Sequence, residues 1–169
     1  GLITGTSKRS SVTCPACGFT TNRKRVEGQS KEKGFGYHLL AVCLRSKEGA
    51  RIYRQPNTQD YRILDQVDEA LDSWKNTMFS DIVAVPHEEL PYLRSIFNVR
   101  VYGIDEWHKL FHRRQLLSAL IYTAAVRKAA EKIKNNIHDT SFASAIIECL
   151  ALSVSNSFQY QCNIATYLT

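Results

Sequence analysis

The run Arg113-Arg114-Gln115-Leu116-Leu117-Ser118-Ala119-Leu120-Ile121-Tyr122-Thr123-Ala124-Ala125 decides how the second half of the chain folds. Leu116, Leu117, Leu120, Ile121, Ala124 and Ala125 recur at three- and four-residue steps, the spacing of one helix face. Arg127, Lys128, Glu131, Lys132 and Lys134 follow in polar turns, and cations there suit the negative end of a helix dipole. The spacing predicts a long helix from Arg113 to Asn135, broken by Asn135-Asn136-Ile137-His138-Asp139. Asp139, Thr140 or Ser141 caps the next helix. That helix carries Phe142, Ala145, Ile146, Cys149, Leu150, Leu152, Val154 and Phe158, and is apolar on most sides. Such a helix is expected to be sandwiched in a larger core.

Upstream of Arg113, the segment from Asp105 through Trp107 to Leu110 reads as a short helical turn. Phe97 to Tyr102 alternates weakly, as a short strand or extended segment does. Pro86 to Pro91 is an acidic loop holding His87, Glu88 and Glu89, and Asp81 to Val85 is a strand candidate. Before it, Tyr61, Leu64, Val67, Leu71 and Trp74 mark the buried face of a helix that Thr58 is expected to cap. Tyr37 to Arg45 and Ala50 to Arg54, joined by Ser46-Lys47-Glu48-Gly49, read as a β-hairpin. The expected fold class is α+β: a small β-rich knuckle-and-hairpin part over 1–56, then a mainly helical part of about three helices over 57–169.

The chain has 169 residues, 44% of them hydrophobic, enough for one core and a small appendage. No run of eighteen apolar residues occurs, so no membrane span is expected. The first residues, Gly1-Leu2-Ile3-Thr4-Gly5-Thr6, do not have the form of a secretory signal. Five unevenly spaced cysteines do not form a disulfide framework, and a reducing cytoplasm is the natural setting. The net charge of +6 is concentrated: residues 1–36 hold seven basic and two acidic side chains, giving +5 of it. A basic patch of this kind is a footprint for DNA or RNA, or a solvated basic loop.

Within that basic stretch lies Cys14-Pro15-Ala16-Cys17-Gly18. Two thiolates two residues apart fit one tetrahedral zinc, and Gly18 supplies the backbone freedom the turn needs. A structural zinc takes four ligands, so Cys14 and Cys17 are half a site. Cys43 and Cys149 lie in apolar patterns and read as core residues, and Cys162 is isolated. His108 and His112 are four apart, as metal-binding pairs are, but no His-Glu motif accompanies them, so packed or exposed imidazoles are the plainer reading. Arg23, Lys24 and Arg25 after the knuckle are candidate nucleic-acid contacts. So are Arg113, Arg114 and Gln115, because a positive helix start favours a bound anion; salt bridges to Asp105 or Glu106 are the alternative. Tyr102, Trp107 and Phe111 are expected as core anchors rather than base-stacking platforms. Glu88 and Glu89, adjacent in a loop, are expected to be solvated rather than a paired-carboxylate site.

The block Val101-Tyr102-Gly103-Ile104-Asp105-Glu106-Trp107-His108-Lys109-Leu110-Phe111, followed by Arg113-Arg114-Gln115-Leu116-Leu117, resembles the middle of adenine-specific DNA methylases containing a zinc ribbon. The Cys-Pro-x-Cys-Gly knuckle, Leu39-Leu40-Ala41-Val42, Arg51-Ile52-Tyr53 and Val85-Pro86-His87-Glu88-Glu89-Leu90-Pro91 stand in the same order as their counterparts. Where that family usually has Thr-Pro before the Arg-Gln pair, this chain has His112-Arg113.

The resemblance implies methyl transfer from S-adenosylmethionine to adenine N6 by the parent enzyme. That chemistry uses a Gly-rich cofactor loop and an Asp/Asn-Pro-Pro-Tyr motif acting on a flipped base. Pro91-Tyr92 follows Leu90 rather than Asp/Asn-Pro, and Gly34-Phe35-Gly36 lacks a surrounding strand–helix unit. The resemblance therefore implies a middle region that contributes DNA contact or structural support, with the first knuckle and the catalytic motif in flanking segments. Alternatives from other classes are a stand-alone nucleic-acid-binding zinc module and a protein–protein interaction domain. The apolar last helix implies self-association when a covering domain is absent.

Overall fold

Asn22 ends a strand and starts a helix in one step, and this junction organises the first of two compact units. The computed structural model describes residues 6–8, 10–92 and 99–162. Together these residues form an α+β fold with small antiparallel sheets and four α-helices. One unit takes residues from 1–38 and 89–105, the other from 39–88 and 106–169. The hairpin thus groups with the following helices, and residues 89–105 group with the knuckle.

In the first unit, β1 (Ser7–Lys8), β2 (Ser11–Thr13) and β3 (Thr20–Asn22) form an antiparallel sheet in that order. Thr13 pairs with Thr20, and their hydroxyls hydrogen-bond at 3.0 Å. The Asn22 side chain accepts the Arg25 N–H at 2.9 Å and caps α1 (Arg23–Lys33). This helix lies in a segment with no apolar 3.6-residue period. It is held instead by its cap, by the Arg23–Glu27 ion pair at 2.6 Å, and by Gly34, whose N–H returns to the Ser30 carbonyl. Val99–Tyr102 forms a 3-10 turn against α1, and the Phe35 and Tyr102 rings stand 6.0 Å apart. The short strand or extended segment expected over 97–102 is corrected for its described part, which is this turn. The Gly103 N–H closes the turn on the Arg100 carbonyl, and the Arg100 guanidinium donates to the Leu90 carbonyl at 2.8 Å. Residues 97 and 98 lie outside the described residues.

In the second unit, β4 (Val42–Arg45) and β5 (Arg51–Arg54) form the expected hairpin, Val42 opposite Arg54. The first strand is shorter than expected because the return strand offers four partners before Pro56. α2 spans Thr58–Trp74, and its cap is Asn57 rather than Thr58. The Asn57 side chain accepts the Asp60 N–H, and the Asp60 carboxylate accepts the Asn57 N–H at 2.8 Å, a reciprocal capping box. β6 (Met78–Phe79) and β7 (Ile82–Val83) make a two-residue hairpin turn through Ser80 and Asp81. A 3-10 turn, Trp107–Leu110, leads into α3 (Arg113–Asn136), close to the expected helix, and then α4 (Thr140–Phe158). Asp139 caps α4 by accepting from the Ser141 and Phe142 N–H groups.

Leu71, Ala84, Val85, Leu116 and Leu120 form the core of this unit, with Val67, Trp74, Phe79, Phe111 and Leu117 packed against it. Several expected core residues are at the surface. Tyr61 and Trp107 are each 45% exposed, and Ile121, Ala125, Cys43 and Cys149 are exposed as well. For those on helices and on the hairpin the reason is shared: an element covered on one side by neighbours buries a narrower stripe than its apolar residues span.

α4 shows the largest departure. It was expected to be enclosed, but Ala143 is its buried residue while Phe142 is 59% and Leu152 69% exposed. Its partner is α3, and the Phe158 ring meets Phe111 edge-on at 6.1 Å. By length and composition α4, 19 residues long with mean hydropathy 1.3 over an 18-residue window, reaches what a membrane crossing requires. Glu148 at its middle is a residue type that is costly in lipid.

Candidate functional site

Cys14 and Cys17 occupy the turn between β2 and β3. The Cys14 N–H donates to the Phe19 carbonyl and the Gly18 N–H to the Cys14 carbonyl, each at 2.9 Å. Gly18 takes φ +71°, the left-handed region that favours glycine. Backbone N–H groups of Cys17, then Ala16, hydrogen-bond to the Cys14 sulfur and hold its thiol below its ordinary pKa. N–H groups aimed at a sulfur favour thiolate, the form that ligates zinc. The donor set therefore fits one half of a tetrahedral zinc site. Among the described residues no further His, Cys, Asp or Glu gathers with the pair.

The same unit carries the first basic candidates. Arg23, Lys24 and Arg25 are the first three residues of α1, whose first turn has no acidic side chain. Val12, Cys14, Phe19, Thr21, Arg25 and Gln29 line an open groove of about 330 Å3. Phe19, not singled out from sequence, is 59% exposed there. An aromatic immediately after a Cys-x-x-Cys-Gly turn was the available signal.

Arg113, Arg114 and Gln115 likewise open α3, in the second unit, with no acidic residue in the first turn. Two of them are committed to structure. Arg113 pairs with Asp68 of α2, not with Asp105 or Glu106 as the alternative reading had it. Gln115 accepts the His112 N–H at 2.7 Å, while the His112 ring nitrogen Nδ1 accepts the Arg114 N–H at 3.3 Å. His112 is thus the helix cap and does not share a helix face with His108. Burial first, then the Arg114 charge, pushes its pKa down and favours the neutral ring that accepts a bond. Arg114 and Gln115 border an open groove of about 420 Å3 with Tyr122 and Tyr160.

A third constellation was not foreseen. His87, Glu106 and His108 meet in the second unit: Nδ1 of His87 lies 2.9 Å and Nδ1 of His108 3.4 Å from Glu106 Oε2. The two imidazoles cross edge to face with centroids 4.6 Å apart. Lys109 Nζ takes the other carboxylate oxygen at 2.9 Å. Lys109 first, then His87, holds the Glu106 carboxyl below its usual range, and burial pushes the His108 imidazole down. Glu106-Trp107-His108 was the local signal, but His87 lies nineteen positions before Glu106 and only the fold joins them.

Gly34-Phe35-Gly36 follows a helix and precedes a non-regular segment, the reverse of the strand–loop–helix order a nucleotide cofactor loop needs. The Leu90 carbonyl is taken by Arg100, its N–H donates to the Asp105 carbonyl at 2.7 Å, and its side chain is buried. Glu88 and Glu89 are exposed, and the Glu89 carboxylate meets Arg100 at 3.3 Å. No protein-family model, curated protein or solved structure matches the chain.

Proposed function

We propose that this chain is a DNA-contacting region of an S-adenosylmethionine-dependent DNA adenine-N6 methyltransferase whose catalytic motif lies in another segment. The observation that carries the DNA contact is the knuckle groove, where Cys14, the exposed Phe19 and Arg25 share one surface. A cation beside an exposed aromatic suits a nucleic-acid strand: the cation meets phosphate and the ring stacks on a base. Lys24 extends the charge at the N-terminus of α1, where the helix dipole also favours an anion, while Arg23 beside it is paired with Glu27. Zinc, held by Cys14 and Cys17 with two further ligands, would fix the turn that positions Phe19. The assignment to a methyltransferase rests on the ordered motif resemblance, and S-adenosylmethionine belongs to the parent enzyme.

Fluorescence anisotropy with single-stranded and duplex DNA over a salt series tests the contact. Affinity is expected to fall with salt, and R23E/K24E/R25E to flatten that dependence by about 0.9 in log–log slope for each lost phosphate contact on duplex. Equal binding by the triple variant and the wild type would remove the DNA reading.

The protein–protein reading has its own support in the exposed Phe142 and Leu152 of α4. A covering partner or a second copy would bury them. Sedimentation that stays monomeric at high concentration, with no salt-dependent DNA binding, would leave the remainder of a parent protein as the partner.

A further inference from the structure

We infer that His87, Glu106 and His108 form a binding site for a divalent first-row transition metal, zinc or a near neighbour, separate from the cysteine knuckle. One donor atom from each residue lies within 4.8 Å of the other two. Two donors bound to one zinc at about 2.1 Å in tetrahedral geometry stand about 3.4 Å apart, so a small side-chain rotation closes the set. His87, 59% exposed at its side chain, has room to make that rotation.

The arrangement is built by backbone rather than by chance contact of long side chains. The Trp107 N–H donates to the Glu88 carbonyl and the His108 N–H to the Pro86 carbonyl, both at 3.2 Å. These bonds fix the segment carrying His87 beside the segment carrying Glu106 and His108. Nδ1 of His108 also lies 3.1 Å from the Pro86 carbonyl. That contact fixes the ring plane beside the Glu106 carboxylate, and a metal bound at Nδ1 takes the place of the Pro86 carbonyl there. Glu106 divides its oxygens, Oε1 toward Lys109 and Oε2 toward the imidazoles. Two imidazoles and one carboxylate suit zinc, iron, cobalt, nickel or copper better than calcium or magnesium, which prefer all-oxygen shells. Three protein ligands leave at least one position for water or a partner's group.

The test uses the full chain carrying C14S/C17S, which removes the knuckle thiols. Zinc is titrated in competition with a chromophoric chelator, and imidazole nitrogen resonances are followed by NMR. One equivalent is expected to bind, shifting His87 and His108 but not the exposed His138, and H87A and E106Q are each expected to weaken binding at least tenfold. H87A alters an exposed side chain, so its circular dichroism should match the parent. Zinc binding unchanged by H87A, or His87 and His108 resonances that do not respond to zinc, would overturn the site. DNA binding by H87A is expected to equal that of its C14S/C17S parent, which keeps this test distinct from that of the knuckle groove.

Discussion

Gly103 stands against Ser30: a Cβ built on residue 103 would lie 2.9 Å from the Ser30 carbonyl oxygen and 3.0 Å from the Lys31 Cα. The neighbours are backbone atoms of α1, which cannot swing aside as a side-chain tip can. Gly103 also has φ +81°, which penalises any Cβ. G103A is therefore expected to destabilise the first unit by about 2–4 kcal/mol, combining left-handed strain with overpacking. Urea unfolding followed through hydrogen exchange of α1 amides reads this directly. A loss below about 0.5 kcal/mol would mean that α1 and residue 103 do not meet closely.

Leu120 is 4% exposed in the core of the second unit, whereas Leu152 on α4 is 69% exposed. L120A is expected to cost about 2–5 kcal/mol by removing buried volume. L152A is expected to stay within about 0.5 kcal/mol in a monomer. A large effect of L152A at high protein concentration that vanishes on dilution would show α4 covered by a second copy.

Asp60 joins two functions, closing the α2 capping box and receiving Arg54 at 2.6 and 2.8 Å. The Arg54 guanidinium, then the Asn57 N–H, lowers its pKa from 3.8 to about 2. Because the folded value is depressed, the stabilisation is present above the unfolded value and is lost as pH falls toward about 2. The Tm of D60N should lie below wild type at neutral pH, and the gap should narrow between about pH 4 and pH 2. A gap that is constant with pH would show that the carboxylate charge contributes nothing. N57A, which removes the other half of the box, is expected to cost about 1 kcal/mol.

Cys14 is held toward thiolate by the turn N–H groups. Its alkylation by iodoacetamide should rise with a midpoint below that of an ordinary thiol. Zinc should slow the reaction. Mass-spectrometric mapping across a pH series checks both, and a midpoint at or above the ordinary value would contradict the N–H-to-sulfur geometry.

Local interactions made much of this protein legible in its sequence. The 3.6-residue recurrence of Leu116, Leu117 and Leu120 marked α3 because a helix places such positions on one side whatever surrounds it. Ser46-Lys47-Glu48-Gly49 marked the hairpin, and Cys14-Pro15-Ala16-Cys17-Gly18 marked the knuckle turn, since turn chemistry is local too. α1 escaped this reading because its support is a cap, an ion pair and a C-terminal glycine, with no apolar stripe to count.

Tertiary structure alone decided how many sides of each element are covered and which distant residues meet. The composition of α4 did not reveal that Ala143 is buried while Phe142 and Leu152 are exposed, because burial depends on neighbours. Nor did spacing along the chain join His87 to Glu106 and His108. That triad exists because backbone hydrogen bonds draw residues 86–88 against residues 107–108, a contact between segments that no local pattern records.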